Sequence, residues 1–149
     1  KLAQMGDATE LAAYLKTVNG VKDVYVLPAS NSTVLLPKIG GQAGNKVSQE
    51  LNVKSGDRLA IATMYGLSND WYFASKGNGV DALQKGDIST TIGLFDNGTA
   101  INQFPGASIT QFNLAGVPLP EDKNIEEVPN PNAFTMLPTI PNIIKVTIE

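Results

Sequence analysis

Val47-Ser48-Gln49-Glu50-Leu51-Asn52-Val53-Lys54-Ser55-Gly56-Asp57-Arg58-Leu59-Ala60-Ile61-Ala62-Thr63-Met64-Tyr65 is the stretch whose reading decides the fold class. Its first half alternates, with Val47, Gln49, Leu51 and Val53 on one side and Ser48, Glu50, Asn52 and Lys54 on the other. A repeat of two residues is the signature of a half-exposed strand. Ser55-Gly56-Asp57 has turn chemistry, which predicts that the next run folds back as the second arm of a hairpin. That run, Leu59 to Tyr65, is apolar on both faces and predicts a central strand buried on both sides.

Outward from this pair the pattern stays mostly β. Upstream, Asp7 or Thr9 can cap a helix whose stripe is Leu11, Ala12, Tyr14, Leu15 and Val18, ending at Asn19-Gly20. Short apolar runs follow at Val24–Leu27 and Thr33–Leu36, stopped by Pro28 and Pro37, and then a loop at 40–45. Downstream, Trp71-Tyr72-Phe73 reads as a brief aromatic strand whose rings supply core and rim packing. Ile88 to Phe95 predicts another strand, and Ile143 to Ile148 a last one with Ile144, Val146 and Ile148 facing inward. Between Asn97 and Asn142 stand Pro105, Pro118, Pro120, Pro129, Pro131, Pro138 and Pro141. Such density excludes long helices and most central strands, leaving loops and one edge strand.

Composition limits the chemistry. A chain of 149 residues with 42% apolar content fits one domain, 1–149, with a real core. There is no histidine and no cysteine. That removes the usual general base near neutral pH, Ser-His-Asp arrangements, thiol nucleophiles, disulfides and most zinc sites. Net charge is −3 with 11 Lys and Arg in no basic block, so no footprint for nucleic acid is expected. No stretch approaches the roughly 20 apolar residues of a membrane span. The chain begins at Lys1 without an initiator methionine or signal peptide, which reads as a processed or trimmed piece.

Two motifs carry a family resemblance. Ala60-Ile61-Ala62-Thr63-Met64-Tyr65-Gly66-Leu67-Ser68-Asn69-Asp70-Trp71-Tyr72-Phe73 is similar to the signature of the spondin N-terminal domain, particularly its bacterial members. Leu94-Phe95-Asp96-Asn97-Gly98-Thr99 resembles that family's aromatic-Asp-Ala-Gly-Thr motif. Asn102-Gln103-Phe104-Pro105-Gly106 and Ile144-Lys145-Val146-Thr147-Ile148 resemble segments that follow in bacterial relatives. The resemblance covers roughly residues 47 to 149 and implies a mainly β fold, an antiparallel C2-like β-sandwich. With it come one short N-terminal helix and a long Pro- and Asn-rich loop region. It also implies a calcium ion between loops at one end, with Asp70 and Asp96 as ligands.

Two carboxylates at strand ends among carbonyl and amide oxygens suit a hard cation, which takes six to eight oxygens. The chain departs from the pattern at Ala100, where many relatives carry an acidic residue. Some relatives use a Glu on an earlier strand, and Glu50 stands near that place, as does Asn52. By its alternation Glu50 also belongs to the polar face. A site with one carboxylate fewer is expected to bind calcium more weakly or to stay empty. Ser-Asn-Asp and Asp-Asn-Gly are also ordinary turn sequences, which is the alternative role for Asp70 and Asp96.

The functional expectation is a secreted or cell-surface adhesive module that binds an extracellular protein or glycan. Its contacts would lie in the loops around 66–70 and 96–112. An alternative is a self-assembling structural subunit of an extracellular polymer. The family has a strand before the helix, and without it the sheet would leave an open edge for strand exchange between copies. A hydrolase working through paired carboxylates is the minor reading, with the same two aspartates as its candidates.

Overall fold

The computed structural model describes residues 1–27, 46–66, 68–106, 111 and 115–149. The runs expected at Thr33–Leu36 and the loop at 40–45 lie outside these residues. The described chain is mainly β, with eight short strands in antiparallel sheets and few helical turns.

The N-terminus forms two short helices where one was expected, α1 (Leu2–Met5) and α2 (Thr9–Leu15). Gly6 ends α1 in the left-handed conformation at φ +70°, and its amide donates to Leu2 O. Asp7 Oδ1 accepts from Thr9 N at 2.9 Å, which supports the start of α2.

The deciding stretch folds differently from its pattern. Residues 46–54 form no strand; Leu51 and Val53 are half-buried, while Val47 and Gln49 are exposed. The turn after them closes on itself. Asp57 N donates to Lys54 O, and Asp57 Oδ2 accepts from Lys54 N and from Lys22 Nζ. Beyond the turn, the expected central strand is divided between two sheets. β1 (Arg58–Leu59) pairs with β4 (Val80–Asp81), and β2 (Ala62–Met64) pairs with β3 (Trp71–Ser75). The break falls at Ala60-Ile61, where Ser75 Oγ takes Ile61 N at 2.9 Å and Ile61 O accepts Ser75 N at 3.0 Å. At the β1–β4 crossing the backbones come so close that a Cβ on Gly79 would stand 2.2 Å from Leu59 O. Only glycine fits there.

The main sheet has the order β2-β3-β6-β7, with β6 at Ile92–Asp96 and β7 at Glu126–Glu127. β2 is therefore an edge strand, and β3 and β6 are central. β7 is the one edge strand expected within the Pro-rich region. The strand expected from Ile88 is shorter: β5 (Gly86–Asp87) and a 3-10 turn (Ser89–Thr91) precede β6. β5 pairs with β8 (Thr147–Ile148), just after a helical turn, α3 (Ile140–Ile143), with proline in its first turn. Ile144 is buried and Val146 and Ile148 half-buried, while Lys145 and Thr147 are exposed, so the inward alternation of the last segment holds.

One face of the main sheet carries the core. Tyr65, Trp71, Phe73, Ile92 and Leu94 pack with Ile143 and Ile144, and Val128, Leu137, Ile140 and Val146 complete the cluster. The rings of Tyr65 and Trp71 stack at 6.3 Å, and Tyr65 meets Phe73 edge-on at 5.4 Å. On the other face Tyr72 and Phe95 lie 5.8 Å apart. The aromatic triplet thus serves both faces by strand alternation. Among the described residues no helix is long and apolar enough to cross a membrane.

Candidate functional site

The two aspartates singled out in the sequence meet at one end of the main sheet. Asp70 closes the turn entering β3, and Asp96 ends β6, directly opposite Trp71. The turn is built by Ser68, whose Oγ donates to Tyr65 O at 2.8 Å and accepts from Trp71 N at 2.9 Å. Ser68, Asn69 and Asp70 are all buried, with Asp70 wholly inaccessible.

The loop after β6 wraps the Asp70 carboxylate. Asp70 Oδ2 accepts from Thr99 N at 2.7 Å, Thr99 Oγ1 at 2.9 Å and Ala100 N at 2.9 Å. Asp96 Oδ1 accepts from Gly98 N at 2.8 Å, and Asp96 Oδ2 accepts from Asn102 Nδ2. The far side of Asn102 is also engaged, since its Oδ1 accepts from Trp71 Nε1 at 2.5 Å. Asn69 Nδ2 donates to Ile101 O at 2.6 Å. The loop is closed from outside by Lys123 N on Gly98 O and Glu121 N on Thr99 O. Gly98 has φ +69°, and a Cβ there would lie 2.3 Å from Lys123 O.

Polar satisfaction at this end is incomplete. Among the described residues, three buried side-chain oxygens make no hydrogen bond: Asp70 Oδ1, Asn69 Oδ1 and Glu121 Oε2. Burial pushes the Asp70 carboxyl above its ordinary range, and the neighbouring Asp96 charge adds to this. The donors from Thr99 and Ala100 pull the other way without cancelling it.

Glu50 does not share this environment. It is exposed on the segment 46–54, which has no regular secondary structure. Among the described residues no three acidic, histidine or cysteine side chains gather into a group able to hold a metal ion. What the structure brings together is an aspartate pair, surrounded by amides and hydroxyls. Asn69 and Asn102 were not assigned a ligand role from the sequence. Asn102 lies in a segment marked by the family resemblance, but its contacts with Trp71 and Asp96 depend on the loop's path.

Protein-family models, curated proteins and solved structures were each compared with this chain, and none matches.

Proposed function

We propose that this chain is a secreted or cell-surface binding module of the spondin N-terminal type, its strands arranged as a C2-like sandwich. In this reading a calcium ion at the Asp70–Asp96 end braces the loops that contact an extracellular protein or glycan. The observation that carries the cation is Asp70 Oδ1, a carboxylate oxygen with no access to water, no hydrogen-bond partner and a second carboxylate nearby. A bare buried carboxylate oxygen is costly, and a hard oxygen-seeking cation relieves that cost. The residues that would hold it are Asp70 and Asp96, with Asn69 Oδ1 as a further open oxygen. When bound, calcium would supply charge neutralisation and a rigid link between the 68–70 turn and the loop after β6.

Neither aspartate is placed for general acid–base work in this reading. Asp70 is fully buried and Asp96 nearly so, whereas such a pair has to reach its substrate.

The test is thermal unfolding of the purified chain, first in excess chelator and then in millimolar calcium. Calcium at about 100 times its Kd stabilises the folded state by roughly 2.7 kcal/mol. The expected result is a rise in melting temperature that Asp70→Asn abolishes. An unchanged melt in the parent protein removes the cation from the proposal.

A second reading, assembly through strand addition, is favoured by the edge of β2. Ile61, Thr63 and Tyr65 face β3, as the bonds at both ends of the ladder show. The backbone groups of Ala62 and Met64 therefore point away from the sheet, along an uncharged edge. The opposite edge carries Glu126 and Glu127, a charged pair that discourages pairing. Sedimentation velocity over a wide concentration range tests this. Growth of oligomers that Ala62→Lys suppresses supports it, and a monomer throughout rejects it.

A further inference from the structure

We infer that Asn102 competes with a cation for Asp96, and that Trp71 holds it in that role; the inference rests on the cation reading above. The indole Nε1–H of Trp71 can only donate. It donates to Asn102 Oδ1 at 2.5 Å, so the amide nitrogen of Asn102 is the atom left facing Asp96 Oδ2, to which it donates. Exchanging the amide's oxygen and nitrogen would set two donors against each other at Trp71 and two acceptors against each other at Asp96. The orientation is thus fixed at both ends.

Gly98 N occupies the other oxygen of Asp96 at 2.8 Å. Asp96 therefore carries a protein donor on each oxygen, and the open oxygen of the pair is on Asp70. An ion that takes the side of Asp96 Oδ2 held by the Asn102 amide displaces that amide, and its departure takes the acceptor away from Trp71. This gives a weakened site a specific cause beyond the alanine at 100. Asp96 Oδ2 is already held by an amide, and an ion taking the same position displaces it. It also makes Trp71 a reporter of occupancy, and the chain has one tryptophan.

The experiment is a calcium titration of the full chain, of Asn102→Ala and of Asp70→Asn. Affinity is measured by calorimetry, and in the parent the indole N–H resonance is followed by NMR. Removing a hydrogen bond to a charged group that the ion must break should tighten calcium binding about tenfold or more in Asn102→Ala. In the parent the single indole resonance should move in step with saturation. A residue that merely supports the loop would give the opposite sign, since losing it would weaken binding. If the parent binds calcium through Asp70 but Asn102→Ala binds no tighter, the competitor role is wrong and the cation reading stands. An indole resonance that stays fixed at saturation equally rejects the competitor role, even if Asn102→Ala fails to fold. Absence of calcium binding in the parent overturns the cation reading and this inference with it.

Discussion

Trp71 and Asp96 are joined twice: they are directly opposed across β3 and β6, and Asn102 bridges the indole of one to the carboxylate of the other. The hydrophobic core and the acidic end of the sheet are therefore not independent. Trp71 is buried in the core cluster with its ring against Tyr65, while its polar edge points to the loop that surrounds Asp70.

The acid pair should leave a distinctive pH dependence in metal-free protein. Asp70 is raised by burial, so the folded state holds its proton more tightly than the unfolded chain. Its contribution to stability is then full below the ordinary carboxylate value and is lost as pH rises through the raised folded value. Asp57 and Asp87 act with the opposite sign. The Lys22 side chain and Lys54 N hold Asp57 low, and the hydroxyl and amide of Ser89 hold Asp87 low. The measurement is therefore a difference, parent minus Asp70→Asn, from melts in chelator between about pH 4 and 8. The parent should lose stability relative to the variant as pH rises; a flat difference contradicts the burial argument.

Gly98→Ala should damage the same loop by a different route. The backbone is at φ +69° and the new methyl group would meet the Lys123 carbonyl at 2.3 Å. Strain and overlap together should cost at least about 2 kcal/mol in urea unfolding. A loss below half that value would mean that the 123–124 segment yields easily.

Ser89 ties the closing segment to the sheet. It is fully buried; its Oγ donates to Asp87 Oδ1 at 2.6 Å and accepts from Val146 N at 2.9 Å. Ser89→Ala leaves the Val146 amide without that acceptor and should cost about 1–3 kcal/mol. Hydrogen exchange at Val146 should accelerate more than exchange in β3, whereas uniform acceleration would point to a global effect only.

Strand alternation in β3 makes a simple contrast. Phe73 is 1% exposed in the core, and Tyr72 is half-buried on the other face. Phe73→Ala should cost about 3–5 kcal/mol, and Tyr72→Ala clearly less. Comparable losses in chemical denaturation would show that the second face is packed as tightly as the first.

The sequence by itself determined the class of the fold and the whereabouts of the acidic end. Apolar runs broken by turns and prolines specified a mainly β chain, and apolar content specified a core, because these follow from local backbone preference and side-chain transfer. Asp70 and Asp96 were picked out by the two motifs that carry the family resemblance, and each also sits in a turn sequence beside an apolar strand. Pairing was not legible. Alternation over 47–53 records that one face is less polar, but not whether a partner strand is available; here Asp57 closes the turn and β1 pairs with β4 instead. The run from Leu59 to Tyr65 looked like a central strand because hydrophobicity does not reveal that one run can serve two sheets, switching at Ile61 through Ser75. The path of the loop after β6 was likewise decided only in three dimensions. Contacts of Thr99 and Ala100 with Asp70, and of Asn102 with Trp71, each about 30 residues away in the chain, set which Asp70 oxygen is filled, which is left open and where the Asn102 amide points. Local chemistry can nominate an acid, but only tertiary packing sets its burial and its donors, and those fix its charge and what it can hold.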